Sequence, residues 1–338
     1  RRIKIYIKKG VVIMVGKVTP NDQLSASEIP VLMNASRFKS INELLKEKMD
    51  VISGIEPPFI TNESMDWGNT LEETILVKSA QRLGLINDEN SSNLKTVHEK
   101  PYQHKLLPFA CSLDGTVTGD GSTIMTDLDK GIICVNADTI KLSGLGIIEA
   151  KLTAHEPESA DELPLYRGPL QLQMQMDTTG AEWGAVCVLY RGTTLKIFVY
   201  QRDDKLISTI TEAILEFQKR LDLYKTNQEV SWYPIRTPAE ASAIFDKPEK
   251  TEIEIPEVEE YAQKIVELRD EIKVNDEQIK LAEIQIMDFM RDNQYAVSGR
   301  YKISWPTINY KAQPQKIVPP KEARTIRQSK LRIRDREF

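Results

Sequence analysis

Apolar residues recur along this chain with two periods, and each predicts a different kind of element. Spacings of three and four predict helices over Ser25–Met33, Ile41–Met49, Asn69–Leu85, Leu165–Thr179 and Asp204–Tyr224. In the third of these, Leu71, Ile75, Leu76, Ala80 and Leu83 form one stripe, with Glu72 at its border near the helix start. In the last, the stripe runs through Ile207, Ile210, Ile214, Leu215 and Leu221. Alternation predicts strands in the run ending at Asp114, in the run carrying Glu149 and Lys151, and in Gly184–Tyr190 and Thr194–Tyr200. The last two are joined by Arg191-Gly192-Thr193 and read as a hairpin at the sheet edge. Strands interleaved with helices in this order give an α/β class, a mixed twisted sheet flanked by helices.

The polar stretches divide the chain. Asn87–Pro101 reads as a loop, Thr116–Asp129 as a turn-like solvated insert, and His155–Leu163 as an acidic loop. Asp120, Asp127 and Asp129 lie in that insert without the spacing and closing Glu of an EF-hand. Residues 233–257, with four prolines, read as a linker between a domain over 14–232 and a unit over 258–338. In that unit Val258, Tyr261, Ile265, Leu268, Ile272, Asn275, Ile279, Ala282, Ile286 and Phe289 keep heptad phase without a slip, which predicts one long helix. Its seam is expected to pair with another subunit or to fold back on its own domain. Gly299–Tyr310 predicts a strand pair split at Trp305-Pro306. Residues 1–13 are basic and precede Met14, which is expected as the natural start; the other reading is a disordered arm or an edge strand.

Composition narrows the classes. No run of about 18 apolar residues is present, so no transmembrane helix is expected. Cys111, Cys134 and Cys187 are far apart with no C-x-x-C, which fits a reducing cytoplasm and excludes a four-cysteine iron–sulfur cluster. His98, His104 and His155 lack zinc-like spacing and read as polar surface residues. Net charge is −5, but Ala296–Phe338 carries eleven Lys/Arg against three Asp/Glu, or +8, leaving −13 on the rest. Any nucleic-acid contact must come from local basic surface and bound metal. Arg300, Lys302, Lys330, Arg332 and Arg334, interleaved with Tyr301, Trp305 and Tyr310, suit a nucleic-acid backbone. The other reading is a basic edge that discourages aggregation.

The chemistry concentrates between Pro108 and Leu152. On a strand, Glu149 and Lys151 share one face while Ile148, Ala150 and Leu152 take the other, and Asp114 joins from the neighbouring strand. Two carboxylates and the Ala150 backbone carbonyl make a hard-oxygen set suited to Mg²⁺, with Mn²⁺ as a substitute. A lysine beside them positions or deprotonates a water. Asp, a gap, then Glu-x-Lys is the pattern of the PD-(D/E)xK nuclease core.

Four motifs extend the pattern: Trp67-Gly68-x-x-x-Glu72, Cys111-Ser112-x-Asp114-Gly115, Glu149-x-Lys151 and Gln171-x-Gln173-x-x-Met176. In this order, over roughly Ser25 to Asp203, they resemble the YqaJ-like viral recombinase family, which includes the phage lambda-type exonucleases. The resemblance implies a restriction-endonuclease-like α/β core over 14–232, with the long helix and hairpin as an appendage. It implies a Mg²⁺-dependent exonuclease that resects double-stranded DNA ends, 5′ to 3′, for a single-strand annealing protein, and a homo-oligomer, a ring trimer. The alternatives are an endonuclease on the same core and a non-catalytic DNA-binding or assembly protein. It further implies that Glu72 lines the metal site, that Gln171 faces it, and that Ser27 and Ser112 contact a DNA 5′ phosphate. Without the resemblance, Glu72 favours a helix dipole, Gln171 is a surface glutamine and Ser27 a helix cap. The arginine expected upstream of the first serine is missing; Pro20 stands there, and Lys17 is the nearest upstream cation.

Overall fold

The computed structural model describes residues 4–8, 11–15, 19–57, 62–87, 91–96, 100–159, 161–245 and 252–308. The chain divides into two units, Arg1–Glu240 and Ala241–Phe338. The first begins with β1 (Lys4–Lys8) and β2 (Val11–Val15), an antiparallel pair that includes Met14. Then come β3 (Leu24–Ser25), α1 (Ile29–Leu32), α2 (Ile41–Ile52), α3 (Glu63–Arg82), β4 (Leu94–Lys95), β5 (Tyr102–Gln103) and β6 (Phe109–Cys111). The remainder is β7 (Gly115–Met125), β8 (Ile132–Cys134), β9 (Thr139–Thr153), α4 (Pro169–Thr179), β10 (Trp183–Tyr190), β11 (Thr194–Gln201), α5 (Asp204–Lys225) and α6 (Pro238–Ile244), the last reaching across the boundary.

The main sheet has the order β4-β7-β9-β10-β11-β8. It is mixed: β9 pairs antiparallel with β7 and parallel with β10, and β11 is antiparallel to β10 and parallel to β8. Strand alternation sends successive residues of β9 and β10 into two cores. Ile148, Ala150, Ala185 and Cys187 face Ile75, Leu76 and Ala80 of α3. Ile147, Val186 and Val188 face the side held by α1, α2, α4 and α5, whose buried residues include Leu172, Met176, Ile210 and Phe217. Gly146 makes room for Trp183, since a Cβ there would lie 2.1 Å from the indole ring. A mixed sheet covered by helices is the α/β class expected from the pattern.

Several boundaries differ from the expectations, each for a local reason. Residues 116–129 are solvated over much of their length but not turn-like: most of them lie in β7, ten of whose eleven residues pair along β9. Its outer half is largely exposed, so backbone pairing holds it and the apolar signal is weak; a bulge falls at Asp120/Ser122, where Gly121 takes φ +85°. Helix α3 starts at Glu63, not Asn69, because the Asn62 side chain caps it by accepting from Met65 N at 2.9 Å. The β10–β11 hairpin is not at the edge; β8 lies outside it. On α5 the stripe is completed by buried Phe217, and Leu215 is exposed. The stretch read as a linker begins tied down: Asn42, buried on α2, donates to Tyr233 O and to Glu240 Oε1 and accepts from Tyr233 N. His104 is not a free surface residue, since Nε2 meets Asp177 at 2.9 Å while Nδ1 accepts from Leu106 and Leu107 N.

The second unit contains α7 (Glu259–Met290), β12 (Tyr295–Ser298) and β13 (Tyr301–Ser304). The long helix is unbroken, as the heptad phase requires. The strand pair turns at Gly299-Arg300 rather than at Trp305-Pro306, because Gly299 supplies the positive φ (+57°) of a two-residue turn.

One buried cation organises the entry to the first unit. Lys48 of α2 is fully buried, and Nζ donates to Asn21 O (2.9 Å), Gln23 O (3.0 Å) and Glu28 Oε1 (2.8 Å). Glu28 Oε2 in turn accepts from Ser25 N at 2.9 Å. The turn that delivers Ser25–Ser27 therefore hangs on one ammonium group. Lys48→Met is expected to destabilise the protein by about 2–3 kcal/mol, by leaving three acceptors unmatched, as read from urea unfolding midpoints.

Candidate active site

Three elements converge on Glu149. Strand β9 aims its side chain toward α4, where it is fully buried. Lys151, two residues on and on the same face, donates from Nζ to Glu149 Oε1 at 2.6 Å. Helix α4 supplies two glutamines one turn apart: Gln171 Nε2 donates to Glu149 Oε1 (2.7 Å) and Gln175 Nε2 to Oε2 (2.8 Å). Gln171 Oε1 also accepts from Lys151 Nζ at 3.2 Å. Gln173 points away and ties α4 to the framework, donating to Gln201 O and accepting from Asp203 N.

Asp114 enters from the turn between β6 and β7. The pairing of β7 with β9 ends at Gly115↔Ile148, so beyond it β9 has no β7 partner. Asp114 takes that place: Oδ2 accepts from Ala150 N at 3.0 Å. The N–H and C=O of one strand residue point to the same side. The Ala150 carbonyl therefore faces the Asp114 side.

Burial and the neighbouring Asp114 charge push the Glu149 carboxyl up to about 6, against the pull of Lys151 and of the Gln175 hydrogen bond. The donor set fits a hard divalent cation: a buried carboxylate, Glu149, whose ionisation the Asp114 charge opposes, Asp114 itself, and a carbonyl on the Asp114 side. Asp114 and Glu149 are the pair brought together. Among the described residues no group of three or more His, Cys, Asp or Glu is placed to hold a metal ion. Glu72 therefore does not complete a three-carboxylate cluster. It lies buried in the middle of α3, on the other side of the sheet from α4, and Leu76 one turn later packs on Gly115. Cys111 and Cys187 border this region, and burial pushes both thiols up to about 12, which leaves them protonated and inert as nucleophiles.

The two expected phosphate-binding serines are brought to one place. Strands β3 and β6 run parallel with Leu24↔Phe109 and Ser25↔Ala110, and Ser27 and Ser112 each lie two residues past the last pair. Both are exposed. Ser27 Oγ is 3.2 Å from Ser25 Oγ. The Ser112 carbonyl accepts from Gln175 Nε2 at 3.1 Å, so one amide holds both Glu149 and the Ser112 turn. Lys17, Lys330, Arg332 and Arg334 lie outside the described residues. Arg300 and Lys302 are in the second unit, where Arg300 sits over the Tyr301 ring.

Helical spacing puts Gln175 on the face of Gln171, but no motif marks it, and its bond to Glu149 is not read from the sequence. Sequence reasoning also missed Gly168, whose φ of +134° starts α4 and where a Cβ would meet Val186 at 2.9 Å and the Lys151 stem at 3.7 Å. A third omission is Arg37 over the Tyr166 ring, a contact between distant parts of the chain made only by folding, with Arg167, the next residue after Tyr166, over the same ring.

The mixed sheet with helices on both faces is the α/β arrangement that the resemblance implied, and Asp114, Glu149 and Lys151 lie together on it. Residues 19–182 match the model of the YqaJ-like viral recombinase domain, about half of the chain. Among solved structures, an alkaline exonuclease (LHK-Exo) from Laribacter hongkongensis aligns at 19% identity over 61% of this chain and 91% of that one, with a TM-score of 0.43. A phage-related exonuclease from Haemophilus somnus aligns at 13% identity over 61% and 94%, with a TM-score of 0.35. Comparison with curated proteins gives no match.

The charges around Glu149 can be read directly. Lys151→Met is expected to move its pKa above about 6, and Asp114→Asn to move it down toward the ordinary carboxylate range, since one change removes an attraction and the other a repulsion. Carboxyl-carbon NMR titration of the metal-free protein checks both directions.

Proposed function

We propose that the protein is a Mg²⁺-dependent exonuclease that resects double-stranded DNA from 5′ ends, leaving a 3′ strand for a single-strand annealing protein. The observation that carries this reading is the buried Asp114–Glu149 pair with Lys151 bonded to Glu149. Asp114, Glu149 and the Ala150 carbonyl would hold the cation. When bound, it supplies Lewis-acid activation of water and charge stabilisation at the leaving oxygen. Lys151 then orients or deprotonates the attacking water, and Gln171 fixes the Lys151–Glu149 geometry by bonding both. Gln175 keeps Glu149 turned toward Asp114. Glu72, outside that pair, has a lesser role.

Ser27 and Ser112 form the 5′-phosphate contact, with Lys17 as the cation in place of an arginine. A lysine grips phosphate as a point charge rather than as a fork, so the preference for a phosphorylated end is modest. The basic C-terminal segment, Arg300 and Lys302 included, contributes backbone contact. The working form is a homo-oligomer, a trimer by resemblance to the family, acting in the cytoplasm of a bacterial host. No helix among the described residues is long and apolar enough to cross a membrane.

The test is digestion of end-labelled linear duplex beside a covalently closed circle, with Mg²⁺, Mn²⁺ or chelator. Asp114→Ala and Glu149→Ala are expected to lose activity at least about a thousandfold, and Lys151→Ala about a hundredfold or more. Glu72→Gln should weaken rather than abolish cleavage. Degradation of the closed circle at the linear rate would instead assign an endonuclease. Near wild-type cleavage by Asp114→Ala with Glu149→Ala would remove the site altogether.

Cation binding has its own readout. Glu149, raised to about 6, takes up a proton below that pH and so competes with the cation. Mg²⁺ is expected to raise the melting temperature at pH 8 and to do little at pH 5. Its carboxyl is higher in the folded than in the unfolded state, so its share of metal-free stability is full below about 4.5 and is lost as pH rises through about 6.

End recognition is checked separately, by comparing 5′-phosphate with 5′-hydroxyl duplex. Wild type should digest the phosphorylated end a few times faster, and Ser27→Ala with Ser112→Ala should erase the difference. Equal rates in wild type would leave no phosphate pocket.

A further inference from the structure

Helix α7 carries an apolar seam that is open along most of its length. One row is Ile265, Ile272, Ile279 and Ile286, and the second, three residues on, includes Leu268, Asn275 and Ala282. Leu268, Ile272, Ile279 and Ile286 are exposed, and the flanking Tyr261 and Phe289 are exposed by 69% and 87%. The helix has 32 residues, about 48 Å, and a contiguous apolar stripe of that length marks a protein interaction surface.

The charges beside the seam say what covers it. The positions flanking the two rows hold Lys264, Glu271, Gln278 and Gln285 on one side and Ala262, Arg269, Asp276 and Glu283 on the other. In a parallel pair of such helices, a residue of the first set meets the residue five later in the second. That would set Lys264 against Arg269 and Glu271 against Asp276, each twice, four like-charge contacts. In an antiparallel pair, each set meets itself. With the twofold axis between Lys273 and Val274, Arg269 meets Asp276 twice, Lys264 meets Gln285 and Glu271 meets Gln278, with no like-charge contact. Shifting by one heptad either way puts Arg269 against Arg269 or Asp276 against Asp276.

The same axis fills the seam. Ile279 faces Leu268, Ile265 faces Ala282 and Ile286 faces Tyr261. The two Asn275 side chains fall in adjacent layers on either side of the axis, about 4.5 Å apart along it, where their amides can bond each other rather than face a dry seam alone.

We propose that α7 is a self-association helix, pairing antiparallel with α7 of a second copy of this chain about an axis between Lys273 and Val274; such a twofold contact joins one threefold assembly to another rather than closing a ring. This assignment does not rest on the nuclease reading.

The test uses the full chain with Tyr261→Cys and Ile286→Cys together. Within one helix these positions are about 37 Å apart, so a disulfide can form only between copies. The native Cys111, Cys134 and Cys187 are buried. Mild oxidation should give a covalent dimer on a non-reducing gel, at least about ten times more than either single variant gives. Arg269→Asp in this background should lower the yield about tenfold, and adding Asp276→Arg should restore it. Efficient cross-linking of Tyr261→Cys alone would mean a parallel pair and overturn the proposal. So would a folded double variant, checked by circular dichroism, that does not cross-link, because the face would then be covered by its own chain or another partner. A charge swap that fails to restore the yield overturns the register.

Discussion

The candidate site depends on keeping one carboxylate, Glu149, out of water and beside another, Asp114. A buried ionised carboxylate is costly unless its oxygens are met. Here both are: Oε1 by Lys151 and Gln171, Oε2 by Gln175. The bonds do not remove the cost, since the group still ionises near 6. What remains is an electrostatic arrangement that a divalent cation would relieve, and the sheet on one side and α4 on the other keep it from relaxing.

Helix α4 gains its importance from serving two masters. Gln171 and Gln175 face the carboxylate, while Gln173 binds the end of β11 and the start of α5. A helix polar on both sides and buried throughout is unusual; every residue from Pro169 to Met176 is buried. It is stable because most of its amide groups have partners. Gly168 lets it begin against Val186 and the Lys151 stem. Through Gln175, the same helix also holds the turn that carries Ser112, so Glu149 and that turn share one support.

The two units use charge differently. In the first, cations work in buried or partly buried places, Lys48 fastening the turn before Ser25 and Lys151 fastening Glu149. In the second, charges line an exposed apolar seam, where their energies are small singly and their signs decide which arrangement of partners is allowed. A helix that is open along its length is a means of joining copies without altering the first unit.

The sequence alone determined the elements whose burial is periodic. The stripes of α3, α5 and α7 and the alternation of β9 to β11 were legible because the side chains themselves report which face is dry. The acidic pair and its lysine were legible because Glu149 and Lys151 must share a strand face, and Asp114 follows from its motif. Strand β7 was not: its outer half gains from backbone pairing with β9, and backbone hydrogen bonds leave no mark on side-chain hydrophobicity. Which glutamines of α4 meet Glu149 depended on the angle at which the helix crosses the sheet. The place of Glu72 depended on which face α3 covers, and that of Ser27 and Ser112 on the parallel pairing of β3 with β6. Such contacts join residues far apart in the chain, and only the packed structure decides them, because their energy exists only once the intervening chain has folded.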